Sequence, residues 1–153
     1  MRLCGWVFLV AVCAAFLPQS ASADVDSTYD PALLTNCVAS AGQTRAALEA
    51  CKGAGARPCI EADSSIMGLV LCWDREATAW QQMADRAFET RRHSEPERRA
   101  SLIAARLAWE SWRDAECEYR ADEPAGGSGV QVDRVRCIAE LTADRAIALL
   151  SAP

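Results

Sequence analysis

The stretch WESWRDAEC, Trp109 to Cys117, places two tryptophans three residues apart and an arginine four residues before a cysteine. A reactive cysteine needs a lowered pKa and usually a general base, which is normally histidine. The one histidine of the chain, His93, lies at a predicted turn between two helices, far along the sequence from Cys117. The stretch therefore favours a structural cysteine on an amphipathic helix over a catalytic thiol.

The next helix along the chain supplies a partner for this cysteine. Cys117 lies near the end of one predicted helix and Cys137 near the start of the following one, with the glycine-rich segment DEPAGGSG, residues 122–129, between them. Antiparallel packing of the two helices would bring the sulfurs together, so we predict a Cys117–Cys137 disulfide. Short loop closure and shared helical faces favour two further pairs: Cys51 with Cys59, and Cys37 with Cys72.

The amino terminus has the pattern of a secretory signal peptide. Arg2 is followed by an apolar run to about Leu17 and by a small-residue cleavage site ending at Ala23. This predicts residues 1–23 as a signal peptide and 24–153 as one mature domain, periplasmic or secreted. The apolar run is too short to span a membrane. Lipidation would need a small residue before a cysteine, whereas Val12 precedes Cys13.

Six cysteines remain after such a cleavage, and an even number in an exported chain predicts a disulfide framework. Zinc is the competing interpretation. It expects close cysteine pairs with histidines in register, which this sequence lacks. We therefore expect neither metal nor cofactor.

The charge of the chain is acidic. Its formal net charge is −5, and removal of Arg2 with the signal peptide leaves 15 basic against 21 acidic residues, or −6. Nucleic-acid binding needs a basic face, so we expect none. A basic protein partner fits better, although a modest charge also serves solubility alone.

Apolar residues recur at helical spacing along the mature chain. One helix is predicted from Pro31 to Cys51, stopped by Gly53, and the glycine-rich residues 52–58 are predicted as a loop. A second runs from Leu69 to His93. Ser94 and Glu97 form a capping-box pattern that would begin the third helix, and the fourth spans about 135–149. The sequence thus predicts an all-α fold, about four helices in a small disulfide-stapled bundle.

Tryptophans lie at helical spacing on two of these helices, Trp73 with Trp80 and Trp109 with Trp112. Such stripes are usually core, because two facing helices bury them against each other. A ligand-stacking platform is the alternative. The arginines around His93 are interpreted as a solvated helix end.

Together these residues resemble the family of LprI-type lysozyme inhibitors, over about residues 37–149. The family pattern is matched by a set of aromatic, basic, cysteine and loop positions: Trp80, Trp109, Trp112, Arg113, Cys117, Gly126, Gly127, Ser128, Cys137, Thr142 and Arg145. This chain departs from the pattern at Gln81, Ala84, Asp85, Phe88 and Arg106. The resemblance implies an exported helical domain that inhibits lysozyme.

These observations favour the hypothesis of a binding protein of the cell envelope over that of an enzyme, since no nucleophile–base pair is visible in the sequence. A lysozyme cleft holds two carboxylates, and an inhibitor that fills it needs a narrow polar protrusion. The loop Gly126, Gly127 and Ser128 is the candidate, with a plain flexible connector as its alternative. The alternative function is a structural or quality-control envelope protein that binds another protein through a helical face.

Overall fold

The computed structural model describes residues 28–121, 127 and 129–151. The part described contains helices and no strand, which confirms the all-α fold. In chain order the α-helices are α1 Pro31–Ala41, α2 Arg45–Glu49, α3 Ala56–Ala62, α4 Ile66–Ser94, α5 Arg99–Ala121 and α6 Gly129–Leu150. A 3₁₀ turn, Pro96–Arg98, joins α4 to α5. The predicted signal peptide, residues 1–23, lies outside the described residues.

Helix α4 is the centre of the fold, and α6 packs along it. Its apolar face combines with α1, α2 and α6 to bury a set of large side chains: Leu34, Leu48, Trp80, Met83, Phe88 and Ile147. Helix α5 packs mainly on α6 and touches α4 only slightly. One side of α5 therefore lies against the bundle and the other is left open to solvent.

The first predicted helix is broken, and the prediction of one continuous helix to Cys51 is wrong. Gly42 adopts a φ of +65°, which glycine tolerates and other residues rarely do, and α2 begins only at Arg45. The break folds α2 back beside α1. The sequence signal was Gly42 itself, set inside an otherwise helical pattern.

The break also decides the disulfides. Along an unbroken helix Cys37 and Cys51 would be about 21 Å apart, whereas the fold-back brings their Cα atoms to 5.7 Å and the two are bonded. Helices α3 and α4 form a second hairpin that joins Cys59 to Cys72. The predicted pairs Cys51–Cys59 and Cys37–Cys72 are therefore wrong, because each hairpin closes on itself.

The third disulfide joins Cys117 of α5 to Cys137 of α6, as predicted, with a Cα–Cα distance of 5.5 Å. Both cysteines are buried. The consecutive helices run antiparallel, which places the end of one beside the start of the next.

The predicted capping box at Ser94 does not form. Ser94 is the last residue of α4, and its hydroxyl donates to the carbonyl of Arg91 at 3.4 Å. Pro96 has no N–H to continue α4 and forces Glu95 toward extended backbone, with φ −123° and ψ 64°. The chain then makes the 3₁₀ turn before α5 begins at Arg99.

The loop predicted at residues 52–58 contains the start of helix α3. Pro58 lies in the first turn of α3, where proline is tolerated because that N–H would have no helical partner. Two backbone N–H groups at this end of α3, those of Gly55 and Ala56, donate to the carboxylate of Glu76 in α4. A cap supplied from another helix leaves no local signal, and so the helix was missed.

Candidate functional site

Four family-pattern residues of α5 and α6 meet in one cluster against α4: Trp109, Arg113, Thr142 and Arg145. Arg113 donates from Nη1 to Oε1 of Gln81 at 3.3 Å and to the hydroxyl of the buried Thr142 at 3.4 Å. Its guanidinium carbon lies 5.0 Å from the centre of the Trp109 ring, within cation–π range. Arg145 of α6 also lies over this ring, at 5.9 Å. Trp109 thus contacts two arginines from different helices.

Arg106 extends this cluster along α5. It pairs with Asp85 of α4 at 2.9 Å and with Glu110 at 2.8 Å, and its guanidinium lies 4.8 Å from the centre of the Phe88 ring. The Glu110 hydrogen bond is the main cause that raises the pKa of Arg106, with the charge of Asp85 adding to it. Arg106, Asp85 and Phe88 are three of the departures from the family pattern, and Arg106 contacts both of the others. This contact could not be read from their separate positions.

Arg145 differs from these arginines in its electrostatic surroundings. Burial is the main cause that lowers its pKa, and the positive charge of Arg91 adds to the effect. None of the ion pairs among the described residues includes Arg145. It is a half-buried cation next to another cation.

Trp80 lies in the core, fully buried, and its indole N–H donates to Glu76. Glu76 is 1% exposed and accepts hydrogen bonds from the backbone N–H groups of residues 53, 55 and 56. Sequence reasoning gave Glu76 no role. The signal was a carboxylate on the otherwise apolar face of its helix, which is costly unless fully hydrogen-bonded.

Trp112 is 49% exposed, so the prediction of a buried Trp109–Trp112 stripe is wrong for this residue. Residues three apart on a helix point about 60° apart, and α5 is covered on one side only. Trp109 falls at the edge of the contact with α6, and Trp112 falls beyond it. Trp73 is partly buried and lines an open cavity between α4 and α6.

The open side of α5 carries mostly small and apolar exposed side chains, with the carboxylates of Asp114 and Glu118 among them, and is here called the outer face of α5. Leu107 is 61% exposed and Tyr119 79%. Small and apolar exposed side chains make up the face: Ile103, Ala104, Leu107, Ala108, Ser111, Trp112, Ala115 and Tyr119. Several large exposed apolar side chains on one helix face commonly mark a contact with another protein.

The candidate inhibitory loop follows α5. Gly127 is exposed, with a φ of +117°, a conformation that favours glycine. Gly126 and Ser128 lie outside the described residues, so the role of this loop stays a prediction. Helix α5 ends at Ala121, two residues after Tyr119 of the outer face, and the loop follows it in the sequence.

Neither a metal centre nor a membrane span is found among the described residues. No cluster of three or more His, Cys, Asp or Glu side chains there is placed to hold a metal ion. No helix there has the length and hydropathy to cross a bilayer. The surface features found are instead an apolar helix face and a group of arginines.

The family model described as lysozyme inhibitor LprI matches residues 59–149. No curated protein and no solved structure gives a match. The matched range runs from Cys59 in α3 to Leu149 in α6 and includes the Trp109 cluster, the outer face of α5 and the Cys117–Cys137 disulfide. It covers more than half of the chain and confirms the resemblance seen in the sequence. The chain therefore belongs to the LprI family of lysozyme inhibitors.

Proposed function

We propose that this protein is an exported inhibitor of a basic, lysozyme-type muramidase. Membership of the LprI family is the observation that carries the proposal. Three disulfides fit an oxidising compartment outside the cytoplasm. The acidic net charge fits a basic partner. In this proposal the protein acts by binding and carries out no chemistry of its own.

The proposed contact surface combines the outer face of α5 with the adjoining glycine loop. Exposed Trp112 is the best candidate for an anchor, since tryptophan in a partner contact often contributes a large share of the binding free energy. Asp114 and Glu118 are exposed on the same side of the helix and give the face two carboxylates that a basic partner could meet. The loop, whose residues Gly126, Gly127 and Ser128 have small side chains, is proposed to enter the lysozyme cleft.

The test measures inhibition of cell-wall lysis by a basic lysozyme, using purified oxidised protein. We expect Trp112→Ala to raise the inhibition constant about tenfold or more with an unchanged melting temperature. Met67→Ala is the matched control, because Met67 is an exposed apolar residue on a different helix, at the start of α4. Equal inhibition by wild type and Trp112→Ala would remove the outer face from the proposal.

Trp109→Ala provides the structural comparison on the same helix. It removes a half-buried ring that contacts Arg113 and Arg145, and should lower the free energy of unfolding by about 3 kcal/mol. A variant with unchanged stability but lost inhibition would instead make Trp109 a binding residue.

Ser128→Lys tests the loop. An exposed connector should tolerate lysine without loss of folding, whereas a narrow cleft should not accept the longer charged side chain. If this variant folds and still inhibits fully, the loop is not the inhibitory element. Ser64→Lys is the matched control, because Ser64 is an exposed serine between α3 and α4. Ser111→Lys would not serve, because Ser111 lies on the outer face of α5.

The second candidate function is an envelope protein that binds another protein through a helical face. The apolar outer face of α5 favours it, because it does not require an enzyme cleft. Failure to inhibit any lysozyme at micromolar concentration would put this function first. A photo-crosslinking residue at position 112 should then give one adduct of defined mass in intact cells, and the same group at position 67 should not.

A further inference from the structure

A second surface lies at the other end of α5, where the 3₁₀ turn and the ends of α4 and α6 meet. Between these elements lies a cavity of about 310 Å³ that opens to solvent. Its walls include Arg91 of α4, Arg98 of the turn and Arg145 of α6, against a single carboxylate, Glu95. Ser101 and Leu102 of α5 contribute a hydroxyl and an apolar wall. We call this cavity the arginine cleft.

The arginine cleft is positively charged in an acidic protein. Glu95 pairs with Arg98 at 2.9 Å, which leaves the charges of Arg91 and Arg145 without a carboxylate partner among the described residues. Bringing two guanidinium groups together at a partly buried place costs free energy. Burial is the main cause that lowers the pKa of Arg145, and the charge of Arg91 adds to it.

Helix capping accounts for only one of the three arginines. Arg91 donates from Nη2 to the carbonyl of Leu149 at 2.9 Å and so binds the last turn of α6. Arg145 lies more than a turn before the end of α6, too far back to cap it. Arg98 is 73% exposed and belongs to no long helix. The first turn of α5 has no acidic residue to offset its dipole and starts with Arg99.

We propose that the arginine cleft binds a small organic anion with a carboxylate or phosphate group, at a site separate from the proposed lysozyme contact. Guanidinium groups bind both oxyanions through paired N–H donors. The Ser101 hydroxyl is positioned on the same wall to add a donor, and Leu102 gives the apolar part of such a ligand a surface. The cavity volume lies at the lower end of the range for small-molecule sites.

The test uses the oxidised protein without lysozyme, so its outcome does not depend on the proposed inhibition. Two probes are titrated at constant ionic strength and followed by NMR: inorganic phosphate, and N-acetyl-alanyl-alanine with a free carboxylate. We expect saturable shifts of the Arg145 side-chain N–H and of the Ser101 and Leu102 amides. The C-terminal amide of the same dipeptide should cause none. Binding of phosphate alone, or of the carboxylate alone, identifies which oxyanion the cleft accepts.

Arg98→Gln should weaken binding about tenfold or more, because it removes a charged donor from an exposed position that folding does not depend on. Arg120→Gln is the matched control. It removes an arginine at the far end of α5 that pairs with Glu116, and binding should not change.

Ser101→Glu places a carboxylate inside the cleft on the protein itself. It should abolish binding of both probes and raise the melting temperature, because the new side chain meets the unpaired arginines. No saturable shift with either probe in the wild type would overturn the proposal. Binding that persists unchanged in Arg98→Gln and Ser101→Glu would overturn it as well.

Discussion

Glu76 organises the two disulfide hairpins by accepting five hydrogen bonds. Its Oε1 accepts from the Gly53 N–H at 2.9 Å and from the indole of Trp80 at 3.1 Å. Its Oε2 accepts from two backbone N–H groups at the start of α3, at 3.1 and 2.9 Å, and from the Tyr29 hydroxyl at 3.2 Å. In each of these bonds the acceptor is a carboxylate oxygen, and such hydrogen bonds are stronger than those between two neutral groups.

The variant Glu76→Gln should therefore be strongly destabilised. Glutamine keeps one acceptor oxygen and turns the other into an N–H₂ group, which would face two or three buried donors. We expect a loss of about 3 kcal/mol in the free energy of unfolding, measured by urea denaturation with the disulfides intact. The control is Glu49→Gln, whose partner Arg45 is at the surface and where about 0.5 kcal/mol or less is expected. Equal stability of the two variants would contradict this role of Glu76.

The partly buried hydroxyl of Tyr29 should make the free energy of unfolding fall at high pH. Burial is the main cause that raises the pKa of Tyr29 above its ordinary value, and the charge of Glu76 adds to it. Because the folded-state pKa is above the unfolded-state pKa, the contribution of protonated Tyr29 to the free energy of unfolding is fully present below about pH 10. It is lost as the pH rises further. Urea unfolding between about pH 8 and 11 should show the decline in Tyr119→Phe and a smaller decline in Tyr29→Phe. A decline of the same size in both variants would assign it to other groups.

At the scale of elements, the fold is three helical hairpins, each closed by its own disulfide. The pairs join α1 to the end of α2, α3 to α4, and α5 to α6. The sequence separations are 14, 13 and 20 residues. In the chain-entropy description a loop of such a length stabilises by about 3 kcal/mol when it is closed.

Tryptic digestion of the unreduced protein distinguishes these pairs from the rejected ones. Cleavage after Arg45 and Lys52 separates Cys37, Cys51 and Cys59, while Pro58 protects the bond after Arg57. We expect the peptide that ends at Arg45 to be linked to 46–52, an internal bridge within 53–75, and 114–120 linked to 137–145. A link between 46–52 and 53–75 would contradict the first two bridges, because 53–75 contains both Cys59 and Cys72. A reduced and alkylated sample shows which masses depend on the bridges.

At the scale of the whole molecule, acidity is expected to act on the rate of association with a basic lysozyme. Complementary net charges steer the encounter, and salt screens them beyond about 8 Å at physiological ionic strength. Many individual acidic side chains are already paired at the surface, Glu118 with Arg134 for example. The faster association at low salt should therefore come from the net charge of the protein and not from single acidic side chains.

We expect the association rate constant for a basic lysozyme to fall about tenfold between low and high salt, with a much smaller change in the dissociation rate constant. Surface plasmon resonance over a range of sodium chloride concentrations measures both. A salt effect confined to dissociation would point to ion pairs inside the interface.

The sequence by itself determined the all-α fold, the family and the Cys117–Cys137 pair. Each depends on periodicity within one helix or on two helices that follow one another, as α5 and α6 do. Local spacing is enough for these features because the antiparallel packing of consecutive helices leaves little choice of geometry.

Only the tertiary structure decided the other two disulfides, the exposure of Trp112 and the arginine cleft. The break at Gly42 redirects a whole helix, and the capping of α3 comes from Glu76, 20 or more residues along the chain. Arg91 reaches Leu149 across 58 residues. The physical reason is common to all of them: a side chain's surroundings depend on which helices meet in space, and the pattern within a single helix does not contain that information.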